Sequence, residues 1–121
     1  MENLLKETKE ILKGNNKKLS DVLWLGSDSF GYFTVEDFEE IANTEYDAGF
    51  GSPKVAEDLI IVGKDFWLER YEYDGAESWK YKSMPIKPSK YRKPTALTVG
   101  QASKLGRDVS VGWETLESIN K

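Results

Sequence analysis

The chain of 121 residues carries 17 Lys and Arg against 21 Asp and Glu, is 39% hydrophobic and 12% aromatic, and contains neither Cys nor His. This length predicts a single domain with its own core, and the aromatic content excludes a disordered chain. Without Cys there are no disulfides or thiolate zinc sites, and without His the commonest general base is missing, so any catalysis falls to carboxylates, Lys, Tyr or Ser.

Residues 2–13 place Leu4, Leu5, Ile11 and Leu12 on one helical face, with Thr8 between the pairs and Gly14-Asn15-Asn16 as the stop, which predicts an amphipathic N-terminal helix. Val22 to Gly26 reads as a short buried strand, Ser27 to Ser29 as a turn and Phe30 to Phe33 as a second strand, together a hairpin. Thr34 stands as an N-cap before Val35, Phe38, Ile41 and Ala42, with Glu36 and Asp37 in the first turn, so a central helix follows.

In the loop after that helix, Gly49 and Gly51 flank Phe50, and Ser52-Pro53 is a cap-and-N1 pair that predicts one helical turn over Pro53 to Glu57. With Lys54 such a turn could cradle an anion, but the glycine order matches neither phosphate-binding motif, and Asp47 and Glu57 would repel a phosphate. The structural alternative gives Gly49 and Gly51 positive φ and tucks Tyr46 and Phe50 against the core.

Leu59 to Val62, Phe66 to Tyr73 and Glu77 to Lys82 read as strands, the last two joined at Asp74-Gly75, a strong hairpin signal. A two-residue turn pairs Arg70 with Trp79, Leu68 with Tyr81 and Glu69 with Lys80. One face then carries Phe66, Leu68, Arg70, Glu72, Trp79 and Tyr81, and the other Trp67, Glu69, Tyr71, Tyr73, Lys80 and Lys82. If the first fills the core, Trp67, Tyr71 and Tyr73 form an aromatic surface with a charged rim, of the kind partners use as anchors. The competing expectation is a three-layer domain in which the N-terminal or C-terminal helices cover this face.

Pro85, Pro88 and Pro94 predict an extended Pro/Lys-rich connector or arm over residues 83–96. Thr98 then caps a short helix through Leu105, ended by Gly106, and Ser110 another bearing Val111, Trp113, Leu116 and Ile119, both closing the core. The expected fold is α+β: a small antiparallel sheet of four to five strands packed with an N-terminal helix, a central helix and short C-terminal helices. Apolar runs reach only four residues, as at Leu59 to Val62, against the roughly 20 a membrane helix needs, and the N-terminus is too polar for a signal peptide. The expectation is a protein of the cytoplasm with no membrane partner.

Charge is divided along the chain. Residues 1–77 hold 18 acids and 8 bases, residues 78–107 hold 8 bases and no acid, and residues 108–121 hold 3 acids and 1 base. Residues 19–53 include Glu36, Glu39 and Glu40 and no Lys or Arg, an acidic field suited to a partner that normally grips nucleic acid. Lys80, Lys82, Lys87, Lys90, Arg92 and Lys93, interleaved with Tyr81 and Tyr91, are the alternative site, for nucleic acid itself. Mutual screening of the two segments is the plainer reading, and opposite-sign patches also allow two copies to pair.

The strings Glu45-Tyr46-Asp47-Ala48-Gly49-Phe50-Gly51, Asp58 to Gly63 and Phe66 to Trp79 resemble a family of small proteins from phages and prophages of Gram-positive bacteria such as streptococci, lactococci and enterococci. The resemblance spans about residues 20–88, with Gly112 to Leu116 similar in outline. It implies a phage accessory protein inside a bacterial host cell and no assigned activity or catalytic residues. A search for chemistry finds little. Glu69 and Glu72 point to opposite faces of a strand, no EF-hand spacing follows Asp28 or Asp47, and Glu69 is followed by Arg70-Tyr71 where a nuclease wants Glu-x-Lys. The expectation is therefore a non-enzymatic protein, without metal or cofactor, that binds a host or phage protein.

Overall fold

The computed structural model describes residues 1–49, 51–109 and 112–121. A two-residue strand β1 (Glu2–Asn3) leads into α1 (Leu4–Gly14), followed by β2 (Val22–Ser27), β3 (Gly31–Phe33), α2 (Val35–Ile41), β4 (Glu45–Tyr46), β5 (Ile60–Gly63), β6 (Phe66–Tyr73), β7 (Ala76–Ser83), α3 (Val99–Lys104) and α4 (Leu116–Ile119). The fold is α+β: an antiparallel five-stranded sheet in the order β3-β2-β5-β6-β7 accompanied by a two-stranded β1-β4 pair.

Asp74 and Gly75, at φ of 51° and 86°, both take the left-handed conformation that a two-residue type I′ turn demands. The turn fixes the expected register, with Arg70 opposite Trp79, Leu68 opposite Tyr81 and Glu69 opposite Lys80. Alternation along the strands then sends Phe66, Leu68 and Trp79 to one side, where they meet Leu25 and Ile61 of the neighbouring strands. Both long helices pack on that side. From α1 come Leu12 and the fully buried Thr8, and from α2 and its C-cap come Phe38 and Ala42. Thr8 is a satisfied polar group: its Oγ1 accepts the Trp79 indole N–H at 2.8 Å and donates to the Leu4 carbonyl at 2.7 Å.

Capping explains where the helices start. The Asn3 side chain accepts from the Lys6 amide, and Thr34 forms a reciprocal capping box with Asp37. Three local expectations are corrected. No helical turn forms over Pro53 to Glu57; the segment is instead tied to the hairpin, the Lys54 and Val55 amides donating to the Glu77 carboxylate at 2.5 and 3.3 Å. Of the loop glycines only Gly51 has a positive φ, and Phe50 lies outside the described residues. Ile41, the last residue of α2, is exposed, while Phe38 and Ala42 on either side of it take the core-facing positions.

The chain forms two compact units, Met1–Pro85 and Ile86–Lys121. The division falls inside the proline-rich stretch, where residues 84–98 carry neither helix nor strand. In the second unit Ala96, Ala102 and Ile119 make a small cluster of their own, where the sequence suggested helices closing a shared core. Polar clamps supply much of its order. The Asn120 side chain accepts from the Thr95 and Ala96 amides and donates to the Ala96 carbonyl, while Arg107 donates to the Ile119 carbonyl at 2.8 Å and to the Thr95 hydroxyl. Thr98 and Thr115 cap α3 and α4. The last helix thus starts at Leu116, Trp113 is fully exposed, and Ser110 and Val111 lie outside the described residues.

Candidate functional site

Within the Met1–Pro85 unit the helices occupy one side of the five-stranded sheet only. The opposite side is built by the residues that alternate with the core. On β6 these are Trp67, Glu69, Tyr71 and Tyr73, and on β7 Ser78, Lys80 and Lys82, with Trp67 opposite Lys82 and Tyr71 opposite Ser78. Ile60 and Val62 of β5 lie beside Glu69 and Trp67. A register shift between Val22 and Trp24 then directs Trp24 outward opposite Val62 while Leu25 stays in the core, and Tyr32 of β3 stands opposite Gly26. An antiparallel sheet with one solvated face normally shows polar residues there. Here the face is aromatic from β3 to β6, with Tyr71 at 44% and Tyr73 at 72% exposure and Trp67 half-buried.

Charged groups on this face are tied to the aromatics. The Trp67 indole N–H donates to Glu69 at 2.9 Å, the Lys82 ammonium lies 3.8 Å from the same carboxylate, and the Lys80 ammonium sits 4.7 Å over the Tyr71 ring. These contacts hold Trp67 and Tyr71 in place, lowering the entropy to be lost when a partner covers them.

Beneath the face, on the covered side, lies a buried ionic network. The Arg70 side chain is 5% exposed; its Nη2 donates to Glu77 at 2.8 Å and to the Tyr46 hydroxyl at 3.1 Å, and its Nη1 stands 3.5 Å from Glu7. Its guanidinium lies 4.6 Å over the Trp79 ring, and the Tyr46 hydroxyl donates to Glu7 at 2.5 Å. Burial raises the Glu7 carboxyl above its ordinary range, and the Tyr46 and Arg70 contacts offset this only in part. Burial acts the same way on Glu77, but the Lys54 amide, Arg70 and the Val55 amide outweigh it and hold that carboxyl low. Burial opposes the Arg70 charge, yet Glu77, Tyr46 and Glu7 more than compensate and keep it firmly protonated. The network joins α1, β4, the 54–55 loop and the hairpin, and so it stiffens the strands that carry Tyr71 and Tyr73.

The structure brings Trp67, Tyr71 and Tyr73 together and adds Tyr32, and also Trp24, Ile60 and Val62, which the unbroken apolar runs Val22–Leu25 and Leu59–Val62 concealed because they give no alternation to assign sides. Glu36, Glu39 and Glu40 are exposed on α2, which packs on the other side of the sheet, so the acidic and aromatic candidates are separate surfaces. The basic stretch is divided as well: Lys80 and Lys82 belong to β7, and Lys87, Lys90, Tyr91, Arg92 and Lys93 to the second unit. Arg92 is engaged internally, with Glu117 at 3.1 Å and the Asn120 carbonyl at 2.6 Å.

Among the described residues no group of three or more carboxylates is placed to hold a metal ion, and no helix is long and apolar enough to cross a membrane. A groove beside α2, lined by Phe33, Phe38, Ile41, Val55 and Leu59 with Thr44, Glu45 and Lys54 also on its wall, is largely apolar. No family model, curated protein or solved structure matches the chain.

Proposed function

We propose that the chain is a non-enzymatic accessory protein, phage-encoded as its sequence strings suggest, that acts inside the bacterial host by binding another protein through the helix-free face of its sheet. The observation that carries this reading is the pre-ordered row Trp67, Tyr71 and Tyr73 on the side of the sheet that no helix of its own unit covers. Large, rigid aromatics bury much area for few rotatable bonds, which is why such residues dominate interface energetics. Lys80 and Lys82 along the β7 margin favour a partner whose apolar patch is flanked by carboxylates.

Affinity capture from a lysate of a Gram-positive host tests this, with Trp67→Ala on the aromatic face and Glu39→Lys on the separate acidic surface. A protein retained by the wild type and by Glu39→Lys but weakened roughly 30-fold or more by Trp67→Ala is the expected result, about 2 kcal/mol for a central aromatic anchor. Recovery of nothing, or equal recovery by both variants, refutes the reading.

A further inference from the structure

The second unit carries charge of the opposite sign to the first. Met1–Pro85 has 18 acids against 10 Lys and Arg, whereas Ile86–Lys121 has 7 Lys and Arg against 3 acids. Its two arginines serve the fold: Arg107 holds the Ile119 carbonyl and the Thr95 hydroxyl, and Arg92 holds Glu117 and the Asn120 carbonyl. The lysines do not. Lys87, Lys90, Lys93 and Lys104 are all exposed, and none is ion-paired with a carboxylate of the described residues. Tyr91 stands among them at 84% exposure. The Arg92 and Asn120 contacts pin the 92–96 backbone to α4, so Tyr91 and Lys93 are presented from an anchored segment although no helix or strand forms there.

Unpaired lysines flanking an exposed ring in sequence meet the two requirements of sequence-tolerant single-strand binding, phosphate neutralisation and a stacking platform. We infer that the Ile86–Lys121 unit binds single-stranded nucleic acid, with Lys87, Lys90 and Lys93 against phosphates and Tyr91 stacked on a base. Trp67, Tyr71 and Tyr73 form an apolar row on a sheet, as a protein partner requires, whereas Tyr91 is the single aromatic of the basic stretch 87–93, a pattern that favours a polyanion carrying bases over an acidic protein surface. This site is independent of the aromatic sheet face.

Fluorescence anisotropy of the full chain with a labelled oligothymidylate of about 16 nucleotides tests the inference, with heparin as a polyanion that has no bases. Binding is expected at about 50 mM salt, with a log–log salt slope of about −2 for three phosphates neutralised on a single strand. Lys87→Glu/Lys90→Glu/Lys93→Glu abolishes it. Tyr91→Ala weakens the oligonucleotide by roughly fivefold or more and leaves heparin unchanged. Trp67→Ala leaves both unchanged, which separates this site from the sheet face. Absence of binding at low salt, a flat salt dependence, survival of binding in the triple variant, equal effects of Tyr91→Ala on both ligands, or loss with Trp67→Ala overturns the inference.

Discussion

Arg70 and Glu77 offer the sharpest test of how the sheet is held. Both side chains are about 95% buried, 2.8 Å apart, and Glu77 also accepts the Lys54 and Val55 amides. Glu77→Gln keeps the shape but removes the charge and leaves Glu7, 3.5 Å away, as the one carboxylate beside the guanidinium, with the Tyr46 hydroxyl still accepting from it. Removing one member of a buried pair costs about 3–5 kcal/mol, and the remaining Glu7 contact places this variant near 3. For a unit of this size that is a fall in Tm of about 12 °C or more, at about 4–8 °C per kcal/mol. Arg70→Met, which retains the apolar stem over Trp79, should cost about as much, since Glu77 keeps its two amide donors. The double variant removes both charges of the 70/77 pair and leaves Glu7 with the Tyr46 hydroxyl alone, as Arg70→Met already does, so its cost should fall short of the sum by about 2 kcal/mol. Urea titrations followed by Trp fluorescence give all three values. If each single variant loses under about 1 kcal/mol and the losses simply add, the network does not determine stability.

The same network predicts a pH signature. Glu7 binds its proton more tightly in the folded chain than at its ordinary value of 4.5, so stability falls as pH rises from 4.5 through the raised value; Glu77 is held low, so stability falls as pH drops below 4.5. Glu7→Gln should therefore flatten the Tm profile on the alkaline side alone, and an unchanged slope there contradicts the assignment. Thr8→Val removes the acceptor of the buried Trp79 N–H and should cost about 1–3 kcal/mol in urea melts, with Thr8→Ser close to wild type; equal behaviour of the two variants would show that the hydroxyl is immaterial. Gly63→Ala would place a Cβ 2.0 Å from the Phe66 ring, which is itself stacked on Tyr81, and should destabilise by about 1–3 kcal/mol; an unchanged Tm would mean the ring yields freely.

What the sequence discloses depends on whether a local rule acts alone. Asp74-Gly75 dictates its own turn, and with it the register and the two faces of the hairpin, while Thr34 and Thr98 mark helix starts by capping chemistry that needs no distant partner. Ser52-Pro53 starts no helix, and the Lys54 and Val55 amides that follow it are held by a distant carboxylate, Glu77, a pairing too remote in sequence to be read. Glu77 and Arg70 read as surface charges by composition, yet the hairpin register sets them on the same side as Phe66 and Leu68, a signal present in the sequence once the turn is placed. Trp24 and Tyr32 were invisible for another reason: the strand irregularity at Val22 and Trp24 decides which way the indole points, and no residue there announces it. The three prolines read as an extended connector within one domain, and the second unit's use of Asn120, Arg92 and Arg107 as clamps depends on pairings too remote in sequence to be read.

The central claim is that the aromatic face is open in the free chain and closes on a partner. Hydroxyl-radical footprinting of the purified protein, alone and in complex with the protein it captures, reads this directly through Tyr71, Tyr73 and Trp67, with Tyr91 as an internal reference. The account predicts ready oxidation of Tyr71 and Tyr73 in the free chain and protection of all three in the complex, with Tyr91 unaltered. Protection of the three already in the free chain, or their continued oxidation in the complex, would contradict it.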